Sequence, residues 1–175
     1  MEYTFSPEEI AEIKRHIDKY PDRKSAVMPA LWIAQEKFGW LSEDAMKLVA
    51  TTIDMPYSQV YGVASFYTMY FKKKVPKHLI EVCTCFSCSV IGGPEMLSYL
   101  KEKINADKSG HAADGDIWVR DAECLGACDT APVAQVTNRR YCHKLTKEKI
   151  DQMVDDLRSG KELEYEQVPL YKQEF

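Results

Sequence analysis

Histidine is scarce in this chain, with four in 175 residues. His16, His78, His111 and His143 form no C-x-H or H-x3-H pair, which argues against a metal centre built on paired imidazoles. Positive charge is in deficit too. Lys and Arg number 23 against 27 Asp and Glu, for a net charge of −4 and a pI near 5.6. With no basic stripe and no interleaved aromatics, nucleic acid is not expected as a partner. Long apolar runs are missing. The longest uncharged stretch, Met55 to Phe71, is short for a bilayer and carries Pro56, Ser58, Gln59, Ser65 and Thr68, so no direct membrane insertion is expected. The first residues lack a basic segment followed by an apolar one. There is no glycine-rich nucleotide fingerprint, no repeat, no low-complexity segment, and no acid/base or nucleophile constellation. No side chain is therefore assigned a catalytic role. These absences describe a soluble intracellular protein, in which thiols stay reduced and clustered cysteines favour metal over disulfide.

What the chain does have is cysteine in two separated pairs. Cys83-x4-Cys88 is followed, after a 35-residue gap, by Cys124-x3-Cys128 in the run Glu123-Cys124-Leu125-Gly126-Ala127-Cys128. A [2Fe–2S] core needs two thiolates on each iron, and each close pair can serve one iron from one tight loop. Structural zinc also takes Cys knuckles, with two to four intervening residues, and plain structural or redox thiols are a third reading. Spacing alone leaves all three open. Gly126 lies between the second pair, where a φ-permissive residue lets the backbone pass close to a bound group; Gly92 and Gly93 stand in a comparable place after Cys88. Cys85 lies inside the first pair. It is read as a bystander, because C-x-C is cramped for one iron. Cys142 is read as a small buried hydrophobe.

The pattern along the chain changes near residues 72–77. Before it, apolar residues recur at helical spacing. Ser6-Pro7-Glu8-Glu9 opens a first helix with Ile10, Ile13 and Ile17. A second helix is expected over about 25–38 and stopped by Gly39, a third from Ser42, and a fourth from about Ser58 with its stripe running to Phe71. Lys72-Lys73-Lys74 and Pro76 read as a solvated linker. After it, Leu79–Val82 reads as a strand and 87–93 as a loop. Pro94 opens a helix. Residues 116–119 read as a strand, and 133–137 with 141–144 as a hairpin around Asn138-Arg139. Thr146 caps a last helix that Gly160 stops. The order β-α-β-β-β-α describes an α/β sandwich, so the class is α+β: a helical domain over 1–74, an α/β domain over 75–160 and a tail over 161–175. Tyr165, Pro169, Leu170, Tyr171 and Phe175 give the tail an apolar character suited to docking.

These motifs together resemble the E-type component of complex I, the family of thioredoxin-like [2Fe–2S] subunits of NADH:quinone oxidoreductase. The matching residues are the two cysteine pairs with their gap, Ala131-Pro132, Phe38-Gly39-Trp40-Leu41, and Val60-Tyr61-Gly62-Val63-Ala64-Ser65-Phe66-Tyr67. The resemblance covers about residues 10–160. It implies a thioredoxin-like C-terminal half and an N-terminal helical bundle. Cys83 and Cys88 would ligate one iron of a [2Fe–2S] cluster and Cys124 and Cys128 the other. One electron would be exchanged with the FMN of a partner flavoprotein subunit, which carries a [4Fe–4S] cluster and the NADH site, alongside the other hydrophilic-arm subunits. The location implied is cytoplasmic, peripheral on the inner membrane through the complex. NAD-linked hydrogenases and formate dehydrogenases use the same subunit type.

Overall fold

A computed structural model describes residues 3–137, 140–161 and 163. The chain divides into two compact units, Met1–Val75 and Pro76–Phe175.

The first unit is helical. Helix α1 (Pro7–Asp18) starts with a capping box: Ser6 Oγ accepts from the Glu9 N–H at 3.3 Å, and the Glu9 carboxylate accepts from the Ser6 N–H at 2.6 Å, satisfying two otherwise orphaned donors. The same carboxylate meets Lys37 Nζ at 2.6 Å on α2 (Val27–Phe38), which ends at Gly39 with φ +79°. A 3-10 turn, Arg23–Ala26, precedes α2 where the helix was expected to have begun. Helix α3 (Glu43–Ile53) takes Ser42 as its cap and α4 (Tyr57–Phe66) follows Pro56. Ile13, Leu31, Val49, Ile53 and Val60 share one core. Burying each such side chain is worth roughly 1.5–3 kcal/mol.

The stripe expected to carry α4 on to Phe71 breaks after Phe66, where Tyr67 turns extended. The buried Gln35 side chain replaces the helical partners. Its amide donates to Met69 O at 3.0 Å and its carbonyl accepts from the Phe71 N–H at 2.7 Å, while Leu41 N–H donates to Phe71 O at 2.7 Å. The turn that follows Tyr67, closed by the Tyr70 N–H on Tyr67 O at 3.2 Å, delivers Tyr70 into the core, 1% exposed, with its hydroxyl on Met28 O at 3.0 Å. Tertiary bonds here outweigh local periodicity.

The second unit is a four-stranded sheet with helices. Strands β1 (His78–Cys83), β2 (Ile117–Ala122), β3 (Ala134–Val136) and β4 (Arg140–Cys142) lie in the order β2-β1-β3-β4. β1 runs parallel to β2, and β3 is antiparallel to both β1 and β4. Between β1 and β2 come α5 (Phe86–Val90) and α6 (Gly93–Lys103); α7 (Lys147–Ser159) closes the unit, capped by Thr146 and stopped at Gly160 with φ +75°. The loop expected over 87–93 thus holds a helical turn, too short to show any periodicity. The helical-bundle-then-α/β class is as expected.

Strand alternation sorts the two sheet faces. Ile80, Val82, Ile117, Val119, Ala134 and Val136 form a core with Leu100 of α6, Ile104 just past its end, and Ile150, Met153, Val154 and Leu157 of α7. Cys142 packs against it, with Sγ 3.6 Å from Met153 Sδ, half-buried rather than fully buried as expected. Arg120, Glu81, Gln135 and Tyr141 are register neighbours across the four strands on the other face. Arg120 grips the buried Glu81 carboxylate with two donors, at 2.6 and 2.9 Å. The turn expected at Asn138-Arg139 and the tail residues Tyr165, Pro169, Leu170, Tyr171 and Phe175, expected to dock, lie outside the described residues.

Candidate metal centre

Topology brings both cysteine loops to one end of the sheet. Because β1 and β2 are parallel and in register, Cys83 lies opposite Ala122. The segment 123–133 must return from that same end to start β3, which is antiparallel to β1. Cys83 is held there by its N–H, which donates to Val133 O at 2.9 Å, and Thr84 N–H donates to Ala122 O at 2.9 Å.

The first loop presents two buried thiols and one exposed. Cys85 caps α5 from an extended conformation and faces solvent. Cys88, on the inner side of α5, is 2% exposed and packs with Cys83 and Val133. Burial, and after it a hydrogen bond with Cys83, push the Cys88 thiol up to about 11; the Val133 backbone opposes this, and charge at Cys83 and Cys128 adds to it. The first residue of α6 crowds against this pair. A Cβ on Gly93 would lie 2.7 Å from Cys83 O and 2.8 Å from Cys88 O, closer than any side chain tolerates, so this glycine is required by contact.

The second loop is more open. Cys124 and Cys128 are both exposed. Gly126 between them has φ +72°, with nothing within 4 Å of where a Cβ would stand. Glycine is needed there for its left-handed backbone and not for room. Cys128 begins a 3-10 turn, Cys128–Thr130, and Leu125 and Ala127 pack beside Cys83 and Cys88.

Strand β4 and the residues after it hold this loop from behind. Tyr141 Oη donates to Leu125 O at 3.0 Å. Thr130 Oγ1 lies 3.2 Å from Ala127 O and 2.6 Å from His143 Nδ1, and Lys144 N–H donates to Thr130 O at 2.8 Å. Tyr141 and His143 stack, with ring centroids 5.7 Å apart. Sequence reasoning assigned no part to Tyr141 or Thr130, since a single tyrosine on a three-residue strand gives no pattern to read.

The structure therefore packs Cys83 against Cys88. It does not gather a preformed ligand cage: among the described residues no three His, Cys, Asp or Glu side chains stand as a metal-holding group. The donor set nonetheless fits a [2Fe–2S] core, since four thiols in two close pairs, on loops at one sheet end, supply two per iron. Bound thiolates lose their protons to the solvent. Among the described residues no helix is long and apolar enough to cross a membrane.

A sequence model of a family described as thioredoxin-like [2Fe-2S] ferredoxin matches residues 13–158. The E-type component of NADH-quinone oxidoreductase from Rickettsia bellii is 37% identical over 160 residues, covering 90% of this chain and 95% of its own. NADH-quinone oxidoreductase subunit 2 of Thermus thermophilus is 35% identical over 153 residues, covering 86% and 84%. Among solved structures, an NAD+-reducing [NiFe]-hydrogenase in the air-oxidized state superposes with a TM-score of 0.61 at 21% identity, over 75% of this chain and 23% of that one. At that identity the likeness is one of fold, and the chain spans under a quarter of the hydrogenase chain's length.

Proposed function

The chain belongs to the thioredoxin-like [2Fe-2S] ferredoxin family, and from that premise we propose that it is the electron-transfer subunit of an NADH-oxidising, quinone-linked complex. Its cofactor is the [2Fe–2S] cluster of that family. The observation that carries the reading is the near-complete overlap with the Rickettsia bellii component of NADH-quinone oxidoreductase, 90% of this chain against 95% of the relative.

In this reading Cys83 and Cys88 hold one iron, and Cys124 and Cys128 the other. A bound [2Fe–2S] cluster supplies one-electron transfer. This chain's residues bury the first thiol pair, expose the second loop, and fix the spacing between them through the β1–β2 register. The electron partner is the FMN of a flavoprotein subunit that also binds NADH, in keeping with the absence of a nucleotide fingerprint here. Residues 75–160 form the cluster-bearing domain, residues 1–74 a helical domain that docks on that partner, and 161–175 a tail. The complex places the chain on the cytoplasmic face of the inner membrane without inserting it.

The test is reduction by NADH. The purified chain alone should stay oxidised with NADH and reduce with dithionite. Co-purified with its FMN-bearing partner, it should show its reduced S = 1/2 EPR signal on adding NADH. Direct reduction of the isolated chain, or no reduction in the complex, would refute the proposed division of labour.

A further inference from the structure

We propose that Tyr141 is a positioning residue for the second cysteine loop, with Thr130 as its auxiliary; this rests on the reading of Cys124 and Cys128 as ligands. Of the two residues that flank Gly126, Leu125 has its carbonyl fastened to β4, while the Ala127 carbonyl is held inside the 3-10 turn by the Thr130 N–H, at 3.2 Å, as well as by the Thr130 hydroxyl. Leu125 O accepts from Tyr141 Oη at 3.0 Å, and Ala127 O lies 3.2 Å from Thr130 Oγ1, which is itself 2.6 Å from His143 Nδ1. A trans peptide sets its N–H opposite its C=O. Fastening the Leu125 carbonyl to β4 therefore turns the Gly126 N–H away from that strand, and the Thr130 turn sets the direction of the Cys128 N–H. Groups beyond the ligands that fix loop and dipole direction set both the retention and the electronic character of a cluster.

The anchor is well founded. β4 pairs with β3 through Gln135↔Tyr141 and Ala134↔Cys142. Alternation sends Cys142 into the core against Met153 and Tyr141 to the cysteine side. A loop that is exposed at both cysteines is tied to this strand through Tyr141.

The test uses the full-length protein with its cluster. Tyr141→Phe and Thr130→Val keep side-chain shape and remove the hydroxyls; Met153→Ala loosens the opposite face of β4 as a control. Iron release to excess chelator and the g values of the dithionite-reduced protein are measured. Tyr141→Phe should release iron roughly tenfold faster, the lower end of outer-shell effects on metal affinity, and shift the g values. Thr130→Val should move both readouts the same way, and Met153→Ala should leave the g values in place. Wild-type behaviour in both hydroxyl variants would overturn the proposal, as would an equal g shift in Met153→Ala. Cys124→Ser and Cys128→Ser in the same assay separate the two ideas. If they abolish the native signal while Tyr141→Phe is silent, only the positioning role falls. If they leave the signal intact, the ligand assignment itself falls.

Discussion

Among single residues, burial separates the three cysteines of the first loop. Cys83 and Cys88 are sealed at the strand end, whereas Cys85 faces solvent from the cap of α5. Cys85→Ser should therefore retain the reduced EPR signal and the iron content, whereas Cys83→Ser should lose or alter both; the reverse result would exchange the two assignments. Gly93 makes the second residue-scale prediction. Alanine there would press its Cβ onto the carbonyls of both buried cysteines. Overpacking of this kind costs roughly 1–3 kcal/mol, and here the displaced atoms belong to the backbone of Cys83 and Cys88, the proposed ligands of one iron. Gly93→Ala should lower the urea midpoint and the iron retained on purification together. A stable protein with a full cluster would show that the contact is relieved elsewhere. The spacing of the proposed ligands stands out in the sequence because thiols are rare and chemically specific. The requirement at Gly93 does not, since it depends on two carbonyls that only the fold brings within reach.

Elements were legible where local chemistry and packing agree. The capping box of α1, the Thr146 cap and the glycine stops at 39 and 160 all declare themselves by residue type. The end of α4 does not. Its apolar spacing continues to Phe71, but the Gln35 amide, 34 and 36 residues away from its two partners, captures the backbone instead. The turn α5 is hidden for the opposite reason, being too brief to make a pattern. The pairing of β1 with β2 rests on Arg120 and Glu81 as well as on the backbone ladder. Glu81 is 9% exposed, so removing its partner strands a buried carboxylate, at a cost of roughly 3 kcal/mol or more. Arg120→Met should show this as a lowered denaturant midpoint, most of it recovered in the Glu81→Met, Arg120→Met double variant. Additive losses would mean the two side chains act independently.

For the whole molecule, the central claim is that two remote loops, joined at one sheet end by a parallel pair and its antiparallel return, make one electron-carrying centre. Their convergence was foreseeable only through the family resemblance, because nothing in either loop encodes the strand order β2-β1-β3-β4. Iron and zinc analysis combined with EPR on the anaerobically purified full-length protein, before and after dithionite, tests the claim most directly. Two irons per chain, no zinc, and an S = 1/2 signal that arises only on reduction are the expected result. A colourless, EPR-silent protein holding a single zinc would contradict it.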